Sequence, residues 1–339
     1  MMKDILKSIR NGETLPEKIF SDTISMILDG HCSPAQIGAL LMGLSQRGES
    51  VDEITGAAKI LRARASTITA PAGAIDCCGT GGDHSNSLNI STAVAFVVAA
   101  CGVPVAKHGN RAASSKSGAA DVLEALGIQL DLSPLQCEQA LQEIGFCFLM
   151  APHHHSSLKP LAALRKELGF RTIFNLLGPL ANPAGTKRQL LGVFDKSFVR
   201  PMAESLLKLG SEAAMVVHGE DGMDEITLSG RTYCAELRNG HIIEYILTPD
   251  DFRLPSIQPM DILGGDATFN GTALMELLNG ADNAYRRIVL ANSAAALLIA
   301  DKVQDLKSGV EMAAHAIDQG NALNILSAYC LFTQKQVRT

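Results

Sequence analysis

The chain has 339 residues, 47% of them hydrophobic and 19% charged, with a formal net charge of −6. This composition is typical of a globular protein with a sizeable core and excludes disorder, and the acidic balance argues against a nucleic-acid partner because no basic field would attract a polyanion. No apolar stretch reaches the length of a membrane span, and the charged residues 1–13 argue against a secretory signal, so neither a membrane partner nor export is predicted.

The first seventy residues carry capping-box signatures, in which Ser or Thr is followed three positions later by Glu or Gln. They are Thr14–Glu17, Ser33–Gln36 and Ser50–Glu53, and each opens a stretch with helical apolar periodicity. No strand pattern occurs in this part of the chain. It therefore predicts a small unit made of helices.

From Ala70 onward, short apolar runs alternate with amphipathic helical patterns. The predicted strands are Ala74–Cys77, Val103–Ala106, Phe146–Met150, Leu190–Val193 and Ala213–Val217. The predicted helices are Thr92–Ala100, Ala119–Leu126, Pro134–Ile144 and Pro201–Leu209. This alternation predicts an α/β fold with a mostly parallel central sheet flanked by helices, and ligands at the carboxyl ends of its strands.

Two further patterns complete the predicted organisation. Ala235–Leu247 is typical of an antiparallel hairpin turned at Asn239-Gly240. Residues 158–182 have a helical pattern without a strand, so we expect them to fold back onto the N-terminal helices. The predicted domains are a small all-helical domain, residues 1–69 with 158–183, and a large α/β domain, residues 70–157 with 184–339.

The stretch Gly79-Thr80-Gly81-Gly82-Asp83 lies between a predicted strand and a predicted helix. Glycines let backbone N–H groups approach an anion closely, and a strand-to-helix loop presents those groups to it. Asp83 beside a phosphate needs a cation or sugar hydroxyls as its partner. The spacing matches neither the dinucleotide-binding nor the Walker pattern, and a simple glycine turn stays open as the competing interpretation.

Two more groups of anion-binding residue types follow. Asn89–Thr92 stands at the start of a predicted helix, where hydroxyls suit an N-cap and a phosphate equally. The segment Lys107–Gly127 follows a predicted strand and sets Lys107, Arg111 and Lys116 among serines and glycines. In a net-acidic protein such a cluster indicates a polyanionic ligand, with a solvated basic loop as the alternative.

Asp224 and Glu225 form an adjacent acidic pair after a predicted strand. Mg²⁺ explains such a pair because it prefers carboxylates together with substrate phosphates, whereas an exposed acidic turn is the alternative. The run His153–His155 is not predicted to bind zinc, because consecutive residues cannot all face one ion, and one of them lining a pocket is preferred. The eight cysteines include no C-x-x-C pair, which predicts reduced thiols in a cytoplasmic protein.

In combination these motifs resemble the anthranilate phosphoribosyltransferase family, and the likeness runs over nearly the whole chain. The segments that carry it are Gly79–Asp83, Asn89–Thr92, Lys107–Gly118 (KHGNRAASSKSG), Phe174–Pro183 (FNLLGPLANP) and Gly222–Glu225 (GMDE). The resemblance implies a small helical domain joined to a large α/β domain of the nucleoside phosphorylase/phosphoribosyltransferase type. It also implies a homodimer formed through helices.

The resemblance assigns roles residue by residue. It implies that phosphoribosyl pyrophosphate (PRPP) is held by Gly79, Gly82, Asp83, Ser87, Asn89, Ile90, Ser91, Thr92, Lys107, His108, Gly109, Asn110, Arg111, Ala112, Ala113, Ser114, Ser115 and Ala119. It implies anthranilate contacts from Gly79, Asn110, His155 and Arg165, and Mg²⁺ contacts, to two ions, from Ser91, Asp224 and Glu225. Leu158-Lys159-Pro160 departs from the family pattern, which usually has an aromatic residue followed by Arg-His.

The implied reaction transfers the phosphoribosyl group of PRPP to the amine of anthranilate and releases pyrophosphate, a step of tryptophan biosynthesis. No acid or base is assigned, because an aromatic amine is already neutral and nucleophilic near neutral pH. The alternatives are a pyrimidine nucleoside phosphorylase-like enzyme and a non-catalytic relative that binds nucleic acid. The acidic pair favours the transferase, since a phosphorylase has no pyrophosphate that needs magnesium.

Overall fold

A computed structural model describes residues 1–112 and 116–336. The chain begins with four helices, α1 (Met2–Arg10), α2 (Glu17–Leu28), α3 (Pro34–Arg47) and α4 (Val51–Ala63). The capping boxes of Ser33 and Ser50 are both formed. The one predicted at Thr14 is wrong: Pro16 is the N-cap of α2, and no side chain of the described residues caps that helix. Proline's fixed backbone torsion suits this start without a capping hydroxyl.

A single seven-stranded sheet forms the centre of the rest of the described chain, in the order β3-β2-β1-β4-β5-β6-β7. Its strands are β1 (Ile75–Gly79), β2 (Val105–Gly109), β3 (Phe146–Met150), β4 (Arg188–Gly192), β5 (Ala213–Gly219), β6 (Thr232–Arg238) and β7 (His241–Leu247). The first five strands are parallel, and β6 and β7 form the antiparallel hairpin predicted at Asn239-Gly240. The predicted mostly parallel α/β fold is therefore confirmed.

Helices cover both faces of this sheet. They are α5 (Ile90–Ala100), α6 (Ala119–Ala125), α7 (Pro134–Ile144), α8 (Ala151–His154), α9 (Ala162–Leu168), α10 (Ile173–Leu180), α11 (Val199–Lys208), α12 (Ala267–Leu278), α13 (Ala284–Ile299), α14 (Leu306–Asp318) and α15 (Asn321–Gln336). Short 3₁₀ turns lie at Ser156–Leu161, Lys196–Phe198, Pro249–Phe252 and Pro259–Ile262. Within residues 1–112 and 116–336, no helix combines the length and apolarity that a bilayer span requires.

The two faces of the sheet carry separate hydrophobic clusters. Helices α5, α13 and α15 fill one, and α2, α3, α4, α10 and α11 contribute to the other. The predicted return of residues 158–182 to the N-terminal helices is observed, because Phe174 of α10 shares a cluster with Phe20 and Leu40. Sheet residues such as Leu191 belong to the same cluster. Packing therefore does not mark the predicted domain boundary, which stays a prediction.

Candidate active site

A cleft of about 520 Å³ opens at the carboxyl edge of the sheet. It lies where the strand order reverses, at β1 and β4, the position at which open α/β sheets bind ligands. Its lining includes most of the predicted site residues: Gly79, Gly82, Asp83, Ser87, Asn89, Ile90, Ser91, Lys107, His108, Gly109, Asn110, Arg111, Ala112, Ala119, His155, Arg165, Asp224 and Glu225. Segments distant along the chain thus meet in one cavity.

Among the described residues, one predicted site residue is not part of this lining. Thr92 is buried in the first turn of α5 and is only 1% exposed, so its side chain does not reach the cleft. Ala113, Ser114 and Ser115 lie outside the described residues. Their assignment to PRPP stays a prediction.

The segment Gly79–Asp83, called the glycine loop below, packs directly against the acidic pair of Asp224 and Glu225. A Cβ at Gly79 would overlap the Asp224 carboxylate, and one at Gly192 would overlap the Asp224 carbonyl oxygen. The Gly81 N–H donates to Asp224 Oδ2 at 2.7 Å. Gly81 and Gly82 have φ of 66° and 73°, which only glycine adopts without strain. The glycines are needed for this close approach, and a simple turn does not account for it.

Carboxylates are concentrated beside this loop. The backbone N–H of Ser91 donates to Glu225 Oε1 at 3.1 Å, and that of Asp224 donates to Asp83 Oδ2 at 3.4 Å. Burial, together with the nearby charge of Asp83, raises the pKa of Asp224 to about 7. Burial and the Asp224 charge raise the pKa of Glu225 well above its usual range. Buried acids that repel each other in this way fit a site for a cation.

The acidic pair needs other oxygens to complete a metal site. Over the described ranges, no three His, Cys, Asp or Glu side chains converge closely enough to hold a metal ion. A cation held by Asp224 and Glu225 would take its further ligands from elsewhere. Mg²⁺ commonly binds in this way, through one or two carboxylates together with the phosphates of a substrate.

Lys107 supplies a buried positive charge to the same corner of the cleft. Its side chain is 2% exposed, and its Nζ donates to the carbonyl oxygen of Cys77 at 2.6 Å and to Ser91 Oγ at 3.1 Å. The ammonium therefore sits between β1 and the first turn of α5. Its charge opposes the rise in the pKa of Glu225.

Asn89 precedes α5 but does not cap it with its side chain. Its Oδ1 instead accepts from Asn270 Nδ2 at 2.8 Å, and its carbonyl oxygen accepts from the Tyr285 hydroxyl at 3.0 Å. Both partners lie in helices far along the chain. Asn89 is therefore the N-cap residue of α5 by position only, and tertiary contacts hold it in the cleft wall.

His108 and His155, two of the histidines that line the cleft, are neutral hydrogen-bond donors. Nδ1 of His108 lies 3.0 Å from the Gly178 carbonyl oxygen, and Nε2 of His155 lies 2.9 Å from that of Ala181, so each nitrogen carries its proton. Burial lowers the pKa of His108 to about 3 and also lowers that of His155. Neither imidazole supplies a positive charge at neutral pH.

Arg111 lines the cleft but is already paired. Its guanidinium donates to Glu124 and to Asp121 Oδ1, the latter at 3.2 Å, and these partners raise its pKa. Arg165 differs: within the described part of the chain its guanidinium has no ion-pair partner and stacks 5.4 Å from the Phe174 ring centroid. Arg165 is therefore a cation available to a ligand carboxylate.

A buried network that the sequence analysis missed holds the strands beneath the cleft. Asn182 Nδ2 donates to Asp76 Oδ2 and to the Ala106 carbonyl oxygen, both at 2.8 Å. The backbone N–H of His108 donates to the other Asp76 oxygen at 3.2 Å. Burial raises the pKa of Asp76 to about 6. In the sequence, the only sign of this network was Asp76, a single acidic residue inside the apolar run predicted to be a strand.

Asn292 fixes the acidic pair from the opposite side. This residue is fully buried in α13, and its side chain accepts from the Ile226 N–H and donates to the Ile226 carbonyl oxygen, both at 2.9 Å. Ile226 directly follows Glu225. The amide therefore binds the backbone as a neighbouring strand would, and it fixes the turn that carries both acids.

Fold and cleft together define a two-domain glycosyltransferase. Residues 72–323 match the family model described as "Glycosyl transferase family, a/b domain", and residues 3–65 match the accompanying helical bundle domain. The chain belongs to the anthranilate phosphoribosyltransferase family. The anthranilate phosphoribosyltransferase of Rhodopseudomonas palustris is 52% identical over 94% of this chain and 95% of the relative. That of Paramagnetospirillum magneticum is 50% identical over 99% and 97%, respectively.

Solved structures agree with this assignment. The anthranilate phosphoribosyltransferase of Thermus thermophilus superposes with a TM-score of 0.91 at 39% identity, covering 97% of this chain and 99% of that one. The Saccharomyces cerevisiae enzyme, solved with PRPP and Mg, has a TM-score of 0.90 at 25% identity, with 98% of each chain covered. These matches set aside the phosphorylase-like and nucleic-acid-binding alternatives.

Proposed function

We propose that the chain transfers the phosphoribosyl group of PRPP to the amine of anthranilate, releasing pyrophosphate, within tryptophan biosynthesis. The observation that supports this proposal is that the glycine loop, the buried acidic pair, Lys107 and Arg165 line one cleft of about 520 Å³. In the described part of the chain, Arg165 has no ion-pair partner. In this reaction the bond from the anomeric carbon to pyrophosphate breaks and a bond to nitrogen forms. Pyrophosphate leaves with the bonding electrons, and the amine loses a proton.

The donor half of the site lies at the carboxyl end of β1. The glycine loop brings its backbone close to the acidic pair, and Ser91 and Lys107 stand together at the start of α5. The N-terminal end of a helix and a nearby ammonium both stabilise negative charge, which grows on pyrophosphate as it leaves. We assign the PRPP residues predicted above to this half, apart from the buried side chain of Thr92.

We assign Asp224, Glu225 and the Ser91 hydroxyl as ligands of Mg²⁺, and we propose that two ions bind. The relative from Saccharomyces cerevisiae was solved with PRPP and Mg, and the mutual repulsion of the buried acids here fits a cation. When bound, Mg²⁺ supplies positive charge to the oxygens of the leaving pyrophosphate. The protein's own part is to hold the two acids rigidly, through Gly81 and Asn292.

The acceptor half is formed by the segment from His155 to α10. Arg165 faces the cleft, has no acidic partner among the described residues and suits a carboxylate. The neutral His155 lies in the wall of this half, and the neutral His108 of the donor half lies beside it. A positively charged imidazole would repel the developing charge on the sugar. The low pKa of His108 avoids this, and the neutral amine of anthranilate needs no base to attack.

Loss of anthranilate fluorescence on mixing with PRPP tests the proposed function. We expect loss of signal with Mg²⁺ present and none with a chelator. Turnover of a pyrimidine nucleoside with inorganic phosphate in the absence of divalent metal, without consumption of anthranilate, would contradict the proposal.

Arg165→Ala is expected to raise the KM for anthranilate about 30-fold while changing the KM for PRPP less than about twofold, because only the acceptor carboxylate loses its partner. Steady-state kinetics with each substrate varied in turn measures the two effects. Arg200→Ala, which removes an exposed arginine paired with Glu204 and Glu244, is the matched control. An unchanged KM for anthranilate would remove Arg165 from the site.

Four further points are proposed with this function: the domain organisation, a homodimer, the location and the kind of substrate. The helical domain comprises residues 1–69 with 158–183, and we propose that helices mediate a homodimer, which sedimentation analysis would test. We propose a cytoplasmic location, which the free thiols of all eight cysteines support. The substrates are small molecules.

A further inference from the structure

We propose that Arg171 is a positioning residue for the donor: it orients the glycine loop toward PRPP by tying that loop to the segment that carries the acceptor wall. The inference rests on the proposed function and adds a residue that the sequence motifs did not single out. Arg171 is half-buried and is not among the residues lining the cleft. Its effect on the reaction is therefore transmitted through the loop.

The Arg171 side chain joins the segment that follows β1 to the segment that follows β4. Its Nη2 donates to the carbonyl oxygen of Gly82, and its guanidinium lies 4.4 Å from the centroid of the Phe194 ring. The Phe194 N–H donates to Thr80 Oγ1 at 3.0 Å, so the aromatic platform is itself bonded to the glycine loop. A planar guanidinium can stack on a ring and donate from its edge at the same time, which a lysine cannot do.

The bond to Gly82 sets the direction of a peptide group. A trans peptide points its C=O and the next N–H in opposite directions, and no described peptide bond is cis. With the Gly82 carbonyl turned to Arg171, the N–H of Asp83 points away from Arg171. Asp83 lines the cleft beside Asp224. Arg171 therefore helps to present the backbone donor side of the loop to an anion.

The glycine loop and the three residues that follow it need support from contacts with other segments. Besides Gly81 and Gly82, His84 and Asn86 have positive φ values of 61° and 50°. Left-handed conformations of non-glycine residues are costly and persist only where surrounding contacts hold them. The Arg171 contact is one of these, and the bond from the Gly264 N–H to the Asn86 carbonyl oxygen, at 2.7 Å, is another.

The backbone of Arg171 is anchored on its other side. Its carbonyl oxygen accepts from Ser45 Oγ of α3 at 3.1 Å. Arg171 lies between α9, which carries Arg165, and α10, which carries the cleft residues Asn175 and Gly178. One short connection thus contacts the donor loop and supports the acceptor wall.

The test compares Arg171→Ala and Arg171→Lys with wild type and with Arg200→Ala as the control. We expect the KM for PRPP in Arg171→Ala to rise about tenfold, the equivalent of one hydrogen bond to a charged group, with the KM for anthranilate at saturating PRPP within about twofold. Arg171→Lys should recover only part of the loss, because it keeps the charge and loses the planar stack. Titration calorimetry of PRPP with Mg²⁺ should show the same ordering of Kd.

The outcomes separate positioning from stability and from the proposed function. A merely structural role would lower the amount of folded enzyme and its Tm while leaving both KM values unchanged, and that result overturns the inference. If Arg171→Ala does not fold, the KM for PRPP in folded Arg171→Lys decides, with a change below about twofold counting against it. If wild-type protein does not consume anthranilate, the proposed function itself fails.

Discussion

The double variant Asp224→Asn with Glu225→Gln is expected to lose about 10³-fold in Mg²⁺-dependent kcat/KM. The amides keep the shape of the acids, and the Gly81 N–H still finds an oxygen at position 224. What disappears is the buried negative charge that attracts the cation. Initial rates of anthranilate consumption across a Mg²⁺ series measure the loss.

A charge-matched control accompanies this variant. Glu276→Gln with Glu311→Gln removes the same formal charge at two exposed positions outside the cleft lining, and we expect wild-type rates from it. If the Asp224 and Glu225 variant kept more than about a tenth of wild-type kcat/KM at saturating Mg²⁺, the acidic pair would not be the metal site.

The same exchange should change how the stability of the metal-free protein depends on pH. Burial and the Asp83 charge raise the pKa of Asp224 from 3.8 to about 7. Between these values the folded protein keeps a proton that the unfolded chain has released, so its stability falls as the pH rises through that window. The double variant has no carboxyl group at position 224, so its stability does not fall in this way. In chelator, its Tm should exceed that of wild type at about pH 8 and approach it at about pH 4.

Gly192→Ala is expected to destabilise the protein by about 3 kcal/mol or more and to abolish most of the activity. The new Cβ would overlap the carbonyl oxygen of Asp224, which is backbone and cannot rotate away. Either β4 or the turn carrying the acidic pair must move. Chemical denaturation and the Mg²⁺ concentration for half-maximal rate report these two consequences.

A glycine with free space around it serves as the control. Gly38 lies inside α3, where an added Cβ would meet only Leu168 at 3.7 Å, an ordinary van der Waals distance. Gly38→Ala should therefore be neutral or stabilising by up to about 1 kcal/mol, because alanine is the better helix former. If both variants were equally stable, steric crowding at Gly192 would not explain its glycine.

Local sequence patterns were sufficient to predict most of the fold. Apolar runs predicted β3 without error and the ends of the other parallel strands to within three residues, because burial on both faces of a sheet requires such runs. The capping boxes at Ser33 and Ser50 were correct because both partners are local. At Thr14 the same pattern failed, since Pro16 begins the helix by itself.

The candidate site was predicted where ligand-binding residue types cluster in sequence. Gly79–Asp83, Lys107 and the Asp224-Glu225 pair stand out because glycines, cations and acids are concentrated there, and all of them reach the cleft. The positions of Thr92 and Arg111 were not apparent from sequence. One is buried in a helix turn and the other is paired with Glu124, and both depend on neighbours that no local pattern identifies.

The sequence by itself determined the alternation of strands and helices, the hairpin and the chemical character of the loops, because these depend on residues a few positions apart. Only the tertiary structure decided which polar side chains hold those loops in place. Asn182, Asn292 and Arg171 reach partners 106, 66 and 89 residues away. A single polar residue has no periodicity, and its partner is chosen by the packing of the sheet and helices around it.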